Sequence, residues 1–176
     1  RVGGPNRLLA SLDESEVGYN FPVSIPWVPI DESWEYYDGF RDSALALLGV
    51  PRDNDDWGAN LRIALLDSGV AEHPALPEEQ IVRLDLVDRK ASGIDQLGHG
   101  TAMAYQLVAD DGFNTGLVPG AELLSIRVVD ESGKGNTFTV AEGIVRAINE
   151  GARIISVSLG SQGDSLAMRS AVSYAE

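Results

Sequence analysis

The feature that most constrains the fold is an alternation, from Asn60 onward, between short apolar runs and segments with helical periodicity. This alternation is typical of β-α units around a parallel sheet. The apolar runs are rich in β-branched residues and nearly continuous, as strands covered on both faces must be. Four strands are predicted, at residues 61–66, 81–86, 123–129 and 153–157. The predicted fold class is therefore α/β, with a doubly wound parallel sheet.

Helices are predicted between and after these strands. The clearest one starts with a capping box from Thr139 to Glu142, and apolar residues follow at helical spacing. Gly151 stands where a left-handed residue commonly ends a helix. The other predicted helices, with weaker patterns, cover residues 41–49, 101–109 and 165–175.

Residues 1–40 are predicted to be an N-terminal extension, because the first 60 residues hold five of the eight prolines and all three tryptophans. Residues 23–30 are apolar, but their prolines exclude a regular helix and favour an extended segment. Since 40 residues rarely bury enough surface to fold alone, we expect a strap that Trp27 and Trp34 anchor on the larger domain, residues 41–176. A structural arm is favoured; a segment that blocks a functional cleft is the alternative.

Charge and cysteine content exclude several classes of function. The 27 acidic and 13 basic residues give a formal net charge of -14, which would repel a phosphate backbone, so no nucleic-acid partner is expected. No apolar run approaches the roughly 18 residues of a spanning helix, so no membrane span is expected. The absence of cysteine excludes a thiol nucleophile and a disulfide scaffold. The chain begins at Arg1 without a signal-like segment, which predicts a processed piece of a longer protein.

Two residues, Asp67 and His99, are the strongest candidates for a catalytic role. Asp67 directly follows the first predicted strand, at the sheet edge where open α/β sheets place ligands and reacting groups. His99 opens an apparent helix and lies between two glycines that would let another chain approach its ring. We expect the two side chains to be hydrogen-bonded at the carboxyl ends of adjacent strands, with the carboxylate fixing the imidazole tautomer. A turn aspartate that bonds its own backbone is an equally weighted reading of Asp67 alone.

Metal chemistry is not indicated. The other histidine, His73, precedes a proline in a turn and is interpreted as a surface or packing residue. Two histidines in unrelated contexts, without cysteine, do not make a recognisable zinc set. Calcium in the loop at residues 109–114 is possible but not assignable, because its Asp-Gly and Asn residues also form ordinary turns. No cofactor is therefore predicted.

Three motifs, in order along the chain, resemble those of the subtilisin-like serine proteases. They are Asp67-Ser68-Gly69, then Gly98-His99-Gly100-Thr101 thirty-two residues later, then Ser156-Val157-Ser158-Leu159-Gly160. The resemblance runs from about Ser43 to Glu176 and implies a subtilisin-like fold. Residues 1–40 have no counterpart that we can identify in the core of that family.

The resemblance implies a serine endopeptidase with a polypeptide substrate. Asp67 would orient the imidazole, and His99 would act as general base and then general acid. Two segments would clamp an extended peptide between them by adding it as a strand. These predicted substrate-binding residues are Gly133, Lys134 and Gly135 on one side, and Ser158, Leu159 and Gly160 on the other.

The chain also departs from the family pattern. The Gly-Thr-Ser motif of the nucleophile and the later oxyanion asparagine are both absent. We therefore expect the N-terminal half of a catalytic domain, incomplete in this chain, with a second polypeptide or cleaved remainder supplying the serine and the asparagine. A location that is secreted or in the cell envelope is implied by the same analogy.

Two other functions compete with this interpretation. A catalytically inactive, protease-like binding or regulatory protein would also lack the serine. A dinucleotide-binding module is suggested by the glycines at 133 and 135, but Phe138 stands where that motif needs its third glycine. A fluorophosphonate probe, which labels active serine hydrolases, would separate these possibilities.

Overall fold

The structure is a computed structural model and describes residues 19–25, 48–51, 53–88, 93–111 and 115–176. From residue 81 onward, helices separate most of the strands. The strands are β1 (Pro22–Ser24), β2 (Arg62–Asp67), β3 (Ile81–Asp85), β4 (Glu122–Arg127), β5 (Lys134–Asn136) and β6 (Ile154–Val157), and the helices are α1 (His99–Val108), α2 (Thr137–Asn149) and α3 (Leu166–Ala175). A short 3-10 turn at Glu78–Gln80 leads into β3.

The main sheet has four parallel strands in the order β3-β4-β2-β6. β2 lies inside the sheet, with β4 on one side and β6 on the other. Its last residue, Asp67, is in register with Arg127, the last residue of β4. The fold thus places Asp67 at the carboxyl edge of a central strand, where side chains of several elements can converge.

Helices cover both faces of this sheet, as predicted for a doubly wound α/β fold. Leu65 and Leu66 are fully buried and face opposite sides, because successive residues of a strand alternate between faces. Leu65 belongs to the apolar cluster that contains α1, and Leu66 belongs to the cluster that contains α2 and α3. Burial on both faces of the sheet accounts for the nearly continuous apolar character of residues 61–66.

The beginnings of two helices differ from prediction. α2 begins at Thr137, because the side chain of Asn136 accepts the backbone N–H of Thr139 at 3.0 Å and caps the helix. The predicted capping box that starts at Thr139 is therefore wrong. The helix ends at Asn149, and Gly151 has the expected left-handed conformation, with a φ of 82°. α1 begins at His99, two residues before the predicted start.

Two short strands, β1 and β5, are additional to the four strands predicted from the apolar runs, and they pair with each other in the antiparallel sense. The predicted strand at 123–129 leaves the sheet after Arg127, since the backbone then turns back on itself. Asp130 donates its N–H to the carbonyl of Lys134, and Val129 bridges to Gly135. This turn presents β5 beside the carboxyl edge of the main sheet.

Some predictions concern residues outside the described ranges. Trp27, Trp34 and most of the predicted helix at 41–49 are among them, so these stay predictions. The loop at 109–114 is described only in part. Within the described ranges, no helix combines the length and the apolar character needed to cross a membrane.

One side of the domain exposes apolar residues. β6 is an outer strand of the sheet, and its Ile154 and Val157 are 49% and 39% exposed. On α3, which follows β6, Val172 and Tyr174 are each 47% exposed. No described strand pairs with the outer edge of β6. This edge of the sheet is able to accept a further strand.

Candidate active site

Asp67 is the buried anchor of the site. Only 1% of the residue is exposed. Its Oδ1 atom accepts the backbone N–H of Ser68 at 2.7 Å and lies 2.8 Å from Nδ1 of His99. The two readings of Asp67, a turn aspartate and a partner for imidazole, therefore both describe real contacts. Its Oδ2 atom is buried and has no partner among the described residues.

His99 is the accessible member of the pair. Its side chain is 27% exposed, so another molecule can reach the ring. Because a carboxylate only accepts hydrogen bonds, Nδ1 must carry the proton that is shared with Asp67. In the neutral ring this leaves the lone pair on Nε2, which is the atom that a general base uses. The residue is the first of α1 and does not end a strand, so that part of the expectation is wrong.

Gly100 allows the start of α1 to lie close to the turn after β2. A Cβ atom on Gly100 would lie 2.1 Å from the carbonyl oxygen of Gly69 and 3.2 Å from Cβ of Asp67. Any side chain at this position would push the start of α1 away from the turn after β2. The glycine that follows His99 is thus needed for the contact between helix and strand, in addition to leaving the ring accessible.

Asp95 is a buried residue of this site that the sequence analysis missed. It is 7% exposed and accepts five hydrogen bonds from four residues. The donors are the hydroxyls of Ser68 and Thr101 and the backbone N–H groups of Leu97, Gly98 and Thr101. An aspartate shortly before a helix, followed by Gly98, is the signal that could have indicated a turn held by its side chain.

The protonation of Asp95 gives a testable dependence on pH. Burial opposes ionisation, but hydrogen bonds from Thr101, Gly98 and Ser68 outweigh it and hold the pKa of the Asp95 carboxyl below 3.8, its ordinary value. A lowered pKa in the folded state means that the unfolded chain binds the proton more tightly. The resulting stabilisation is present above pH 3.8 and is lost as the pH falls through the folded-state pKa.

We therefore expect Asp95→Asn to flatten the acid limb of the stability curve. Urea unfolding below pH 3.8 should show a smaller loss of unfolding free energy per pH unit in the variant than in the wild type. The variant should also be less stable at neutral pH, where the ionised carboxylate accepts its five bonds. Equal slopes for the two proteins would contradict this assignment.

The two predicted substrate-binding segments lie on either side of β1. β5 contains Lys134 and Gly135, and Gly135 is in register with Val23. On the other side, Ser24 and Gly160 exchange two backbone hydrogen bonds of 3.1 and 3.0 Å. Residues 22–24 thus lie between β5, with which they form a two-stranded sheet, and Gly160, to which Ser24 is joined by an isolated antiparallel bridge. In this structure, residues 22–24 of the chain itself occupy the position that is predicted for an extended substrate peptide.

Further contacts hold this N-terminal strand in place. The N–H of Ile25 donates to the carbonyl of Gly133 at 3.0 Å, and Val23 is 5% exposed in the cluster formed with α2 and α3. The ring of Phe21 covers Gly163, where a Cβ atom would lie 2.2 Å from it. Asn20 accepts the N–H of Phe138 at 3.2 Å, near the start of α2.

The glycines of the two predicted substrate-binding segments differ in how much space surrounds them. A Cβ atom on Gly135 would lie 2.5 Å from the carbonyl oxygen of Val128, so packing within the domain requires glycine there. A Cβ atom on Gly160 would meet nothing within 4 Å. Contacts within the domain are thus enough to require glycine at position 135, whereas they place no such limit on position 160.

The turn before β5 is fixed by Asp130. Its carboxylate accepts the hydroxyl and N–H of Ser132 and the N–H of Lys134, and the hydrogen bond from the Ser132 hydroxyl is the main cause that lowers the pKa of Asp130. Leu97, two residues before His99, flanks the same turn, since a Cβ on Gly133 would lie 3.3 Å from its Cδ2. Leu97 thus lies beside the turn before β5.

His73 takes no part in the pair. Its Nδ1 accepts the N–H of Ala75 at 3.2 Å, and its ring meets Tyr105 edge to face at 5.9 Å. These contacts agree with the packing role expected for it. Among the described residues there is no group of three His, Asp or Glu side chains that could hold a metal ion.

The geometry defines a class of protein. A buried carboxylate holds one nitrogen of an accessible imidazole at the carboxyl edge of a parallel sheet, which is typical of hydrolases that activate a nucleophile through histidine. Comparison with known proteins then gives the family. Residues 58–176 match the model of the Subtilase family, and the chain therefore belongs to the subtilases.

Several proteases are similar to this chain. Thermitase from Thermoactinomyces vulgaris is 37% identical over 122 residues, which are 67% of this chain and 44% of thermitase. Subtilisin Savinase from Lederbergia lenta is 33% identical over the same shares of both proteins. A thermophilic serine proteinase from Bacillus sp. (strain AK1) is 29% identical over 161 residues, 89% of this chain and 39% of that protein. The chain spans less than half the length of these relatives.

Proposed function

We propose that this chain supplies the aspartate and the histidine of an Asp-His-Ser triad in a serine endopeptidase. The observation that carries the proposal is the 2.8 Å contact between Oδ1 of Asp67 and Nδ1 of His99, with the ring accessible from outside. Membership in a family of proteases supports the reaction class. The substrate is a polypeptide, and the residues proposed to bind it are those of the two segments beside β1.

In the proposed mechanism, His99 first acts as a base. Its Nε2 atom takes the proton of a serine hydroxyl as the serine oxygen attacks the carbonyl carbon of the substrate. The imidazolium that forms is stabilised by Asp67, whose negative charge lies in a site of low dielectric constant. His99 then gives the proton to the nitrogen of the departing amine, and water releases the acyl group by the same steps. No cofactor takes part.

The serine and an oxyanion-stabilising asparagine are proposed to come from a second polypeptide or a cleaved remainder. The exposed outer edge of β6 and the exposed apolar side chains of α3 support this assignment, because such a surface is rarely left open to water. The limited share of each relative that the chain covers supports it as well.

We expect the native material to contain a second species bound one to one. Mass spectrometry of the undigested, purified protein should show a partner whose sequence contains Gly-Thr-Ser, since the uncovered edge of β6 needs another strand. Changing Val157 to Lys should weaken the association, whereas the same change at Val87, which is similarly exposed away from β6, should not. A folded, monodisperse monomer of this chain alone would contradict the expectation.

A fluorophosphonate probe tests the reaction class directly. If the proposal is correct, the complete protein is labelled on the serine of the partner segment, and this chain carries no label. The alternative, an inactive protease-like binding protein, predicts no labelling of either polypeptide in folded material. Labelling of a serine in this chain would contradict the proposed division of the triad.

We also propose that residues 20–25 compete with substrate for the groove between the two predicted substrate-binding segments, residues 133–135 and 158–160. The strand β1 already uses backbone groups of Gly133, Gly135 and Gly160, which an added peptide strand would need. The sequence favours a structural arm for the N-terminal extension, whereas the position of β1 supports the alternative, a segment that blocks a functional cleft. A location that is secreted or in the cell envelope remains an expectation.

A further inference from the structure

We propose that Asp95 is a positioning residue for the Asp67–His99 pair, an inference that rests on the proposed function. Its carboxylate is buried, takes no part in the reaction outlined above, and lies between the two segments that carry the pair. Each of its oxygens has a distinct set of donors. Together these donors connect the turn after β2 to the first turn of α1.

The Oδ1 atom holds the strand side of the site. It accepts the hydroxyl of Ser68 at 2.8 Å, and Ser68 directly follows Asp67. The same hydroxyl accepts the N–H of Gly100 at 3.0 Å, and Gly100 directly follows His99. Ser68 is therefore a bridge between the residue after the carboxylate and the residue after the imidazole, and Asp95 fixes the direction of that bridge.

The remaining donors hold the helix side. Oδ1 also accepts the N–H groups of Leu97 and Gly98 at 2.9 Å, and Oδ2 accepts the N–H of Thr101 at 2.9 Å and its hydroxyl at 2.6 Å. Backbone N–H groups at the start of a helix lack partners within the helix, and a carboxylate is a favourable partner for them. One side chain thus fixes the backbone on both sides of His99.

A neutral isostere cannot reproduce this pattern. An asparagine at position 95 has one oxygen to accept bonds, whereas its NH₂ group would face the N–H of Thr101 or the N–H groups of Leu97 and Gly98. Two donors facing each other force a local shift. That shift would move the ring of His99 relative to Asp67 while leaving the peptide groove in place.

The test compares Asp95→Asn with Asp85→Asn in the complete protein. Asp85 also has a buried carboxylate at the carboxyl edge of the sheet, but it pairs with Arg127. One readout is the far-downfield proton resonance of Nδ1–H in His99, assigned by its loss in His99→Ala. The other is peptide hydrolysis, separated into kcat and KM.

We expect Asp95→Asn to broaden or abolish this resonance and to lower kcat about tenfold at unchanged KM, less than the roughly 10²-fold that a full ångström of misplacement can cost. Asp85→Asn should keep both the resonance and kcat. The proposal is overturned if folded Asp95→Asn keeps both the resonance and kcat, or if Asp95→Asn and Asp85→Asn change them to the same extent. It is also overturned if the wild type lacks the resonance.

A second variant decides the matter if Asp95→Asn does not fold. Ser68→Ala removes the hydroxyl bridge without altering the carboxylate, and we expect it to weaken the resonance in the same way. An unchanged resonance in folded Ser68→Ala overturns the proposal. Absence of hydrolysis by the wild type would count against the proposed function alone, because the resonance depends on Asp67 and His99 and not on a serine.

Discussion

His99→Ala is expected to lower peptide hydrolysis by the complete protein at least about 10³-fold, since members of a catalytic triad act as a unit. The imidazole is the group proposed to take the proton of the serine hydroxyl, so its removal leaves that step without its base. The residue is partly exposed, and within the described ranges the bond that its ring makes is the one to Asp67, so the variant should fold. The measurement is kcat/KM on a peptide substrate, with circular dichroism to verify folding.

His73→Ala is the matched control for this experiment. It removes the only other histidine of the chain. The Nδ1 atom of His73 accepts the N–H of Ala75, and its ring packs against Tyr105. We expect near-wild-type hydrolysis from His73→Ala, with at most a modest loss of stability. Activity that survives in His99→Ala, or that disappears equally in both variants, would contradict the assignment of the general base to His99.

Asp67 and His99 could be located from the sequence because their neighbours fix them. The run that forms β2 is apolar on both faces, so its end could be placed within one residue, and Asp67 is that end. The glycines on both sides of His99 indicated an accessible ring. The helix after it was located less exactly: His99 stands at the opening of an apparent helix, but the predicted range begins at Thr101, two residues after the actual start of α1.

Other parts of the site depend on contacts between distant segments. β5 consists of Lys134, Gly135 and Asn136, which have no apolar alternation, and it is a strand because it pairs with β1 and follows the Asp130 turn. Asp95 resembles a solvated turn residue until the hydroxyl of Ser68, 27 residues earlier, is placed against it. The pairing of β5 with β1 and the bond from Ser68 to Asp95 are tertiary contacts, so a local pattern could indicate a turn at Asp95 but not these contacts.

Occupation of the groove by β1 leads to the second large effect. Val23→Asp should raise hydrolysis of a peptide substrate by the complete protein, because it puts a charge into a position that is 5% exposed among apolar side chains. An unpaired buried carboxylate is strongly unfavourable, so β1 should leave the groove. A tethered competitor acts at a high effective concentration, and we expect its removal to lower the apparent KM about 10²-fold with kcat unchanged.

Tyr19→Asp is the control, because it adds the same charge to the same segment at a residue that is 73% exposed. It should leave both the apparent KM and kcat as they are. Cleavage of the chain before residue 20 by limited proteolysis should be tolerated, whereas residues 20–25 should be protected in the wild type and cut readily in Val23→Asp. If the variant instead loses activity together with stability, residues 20–25 act as a structural arm, because a competitor for substrate cannot be needed for catalysis.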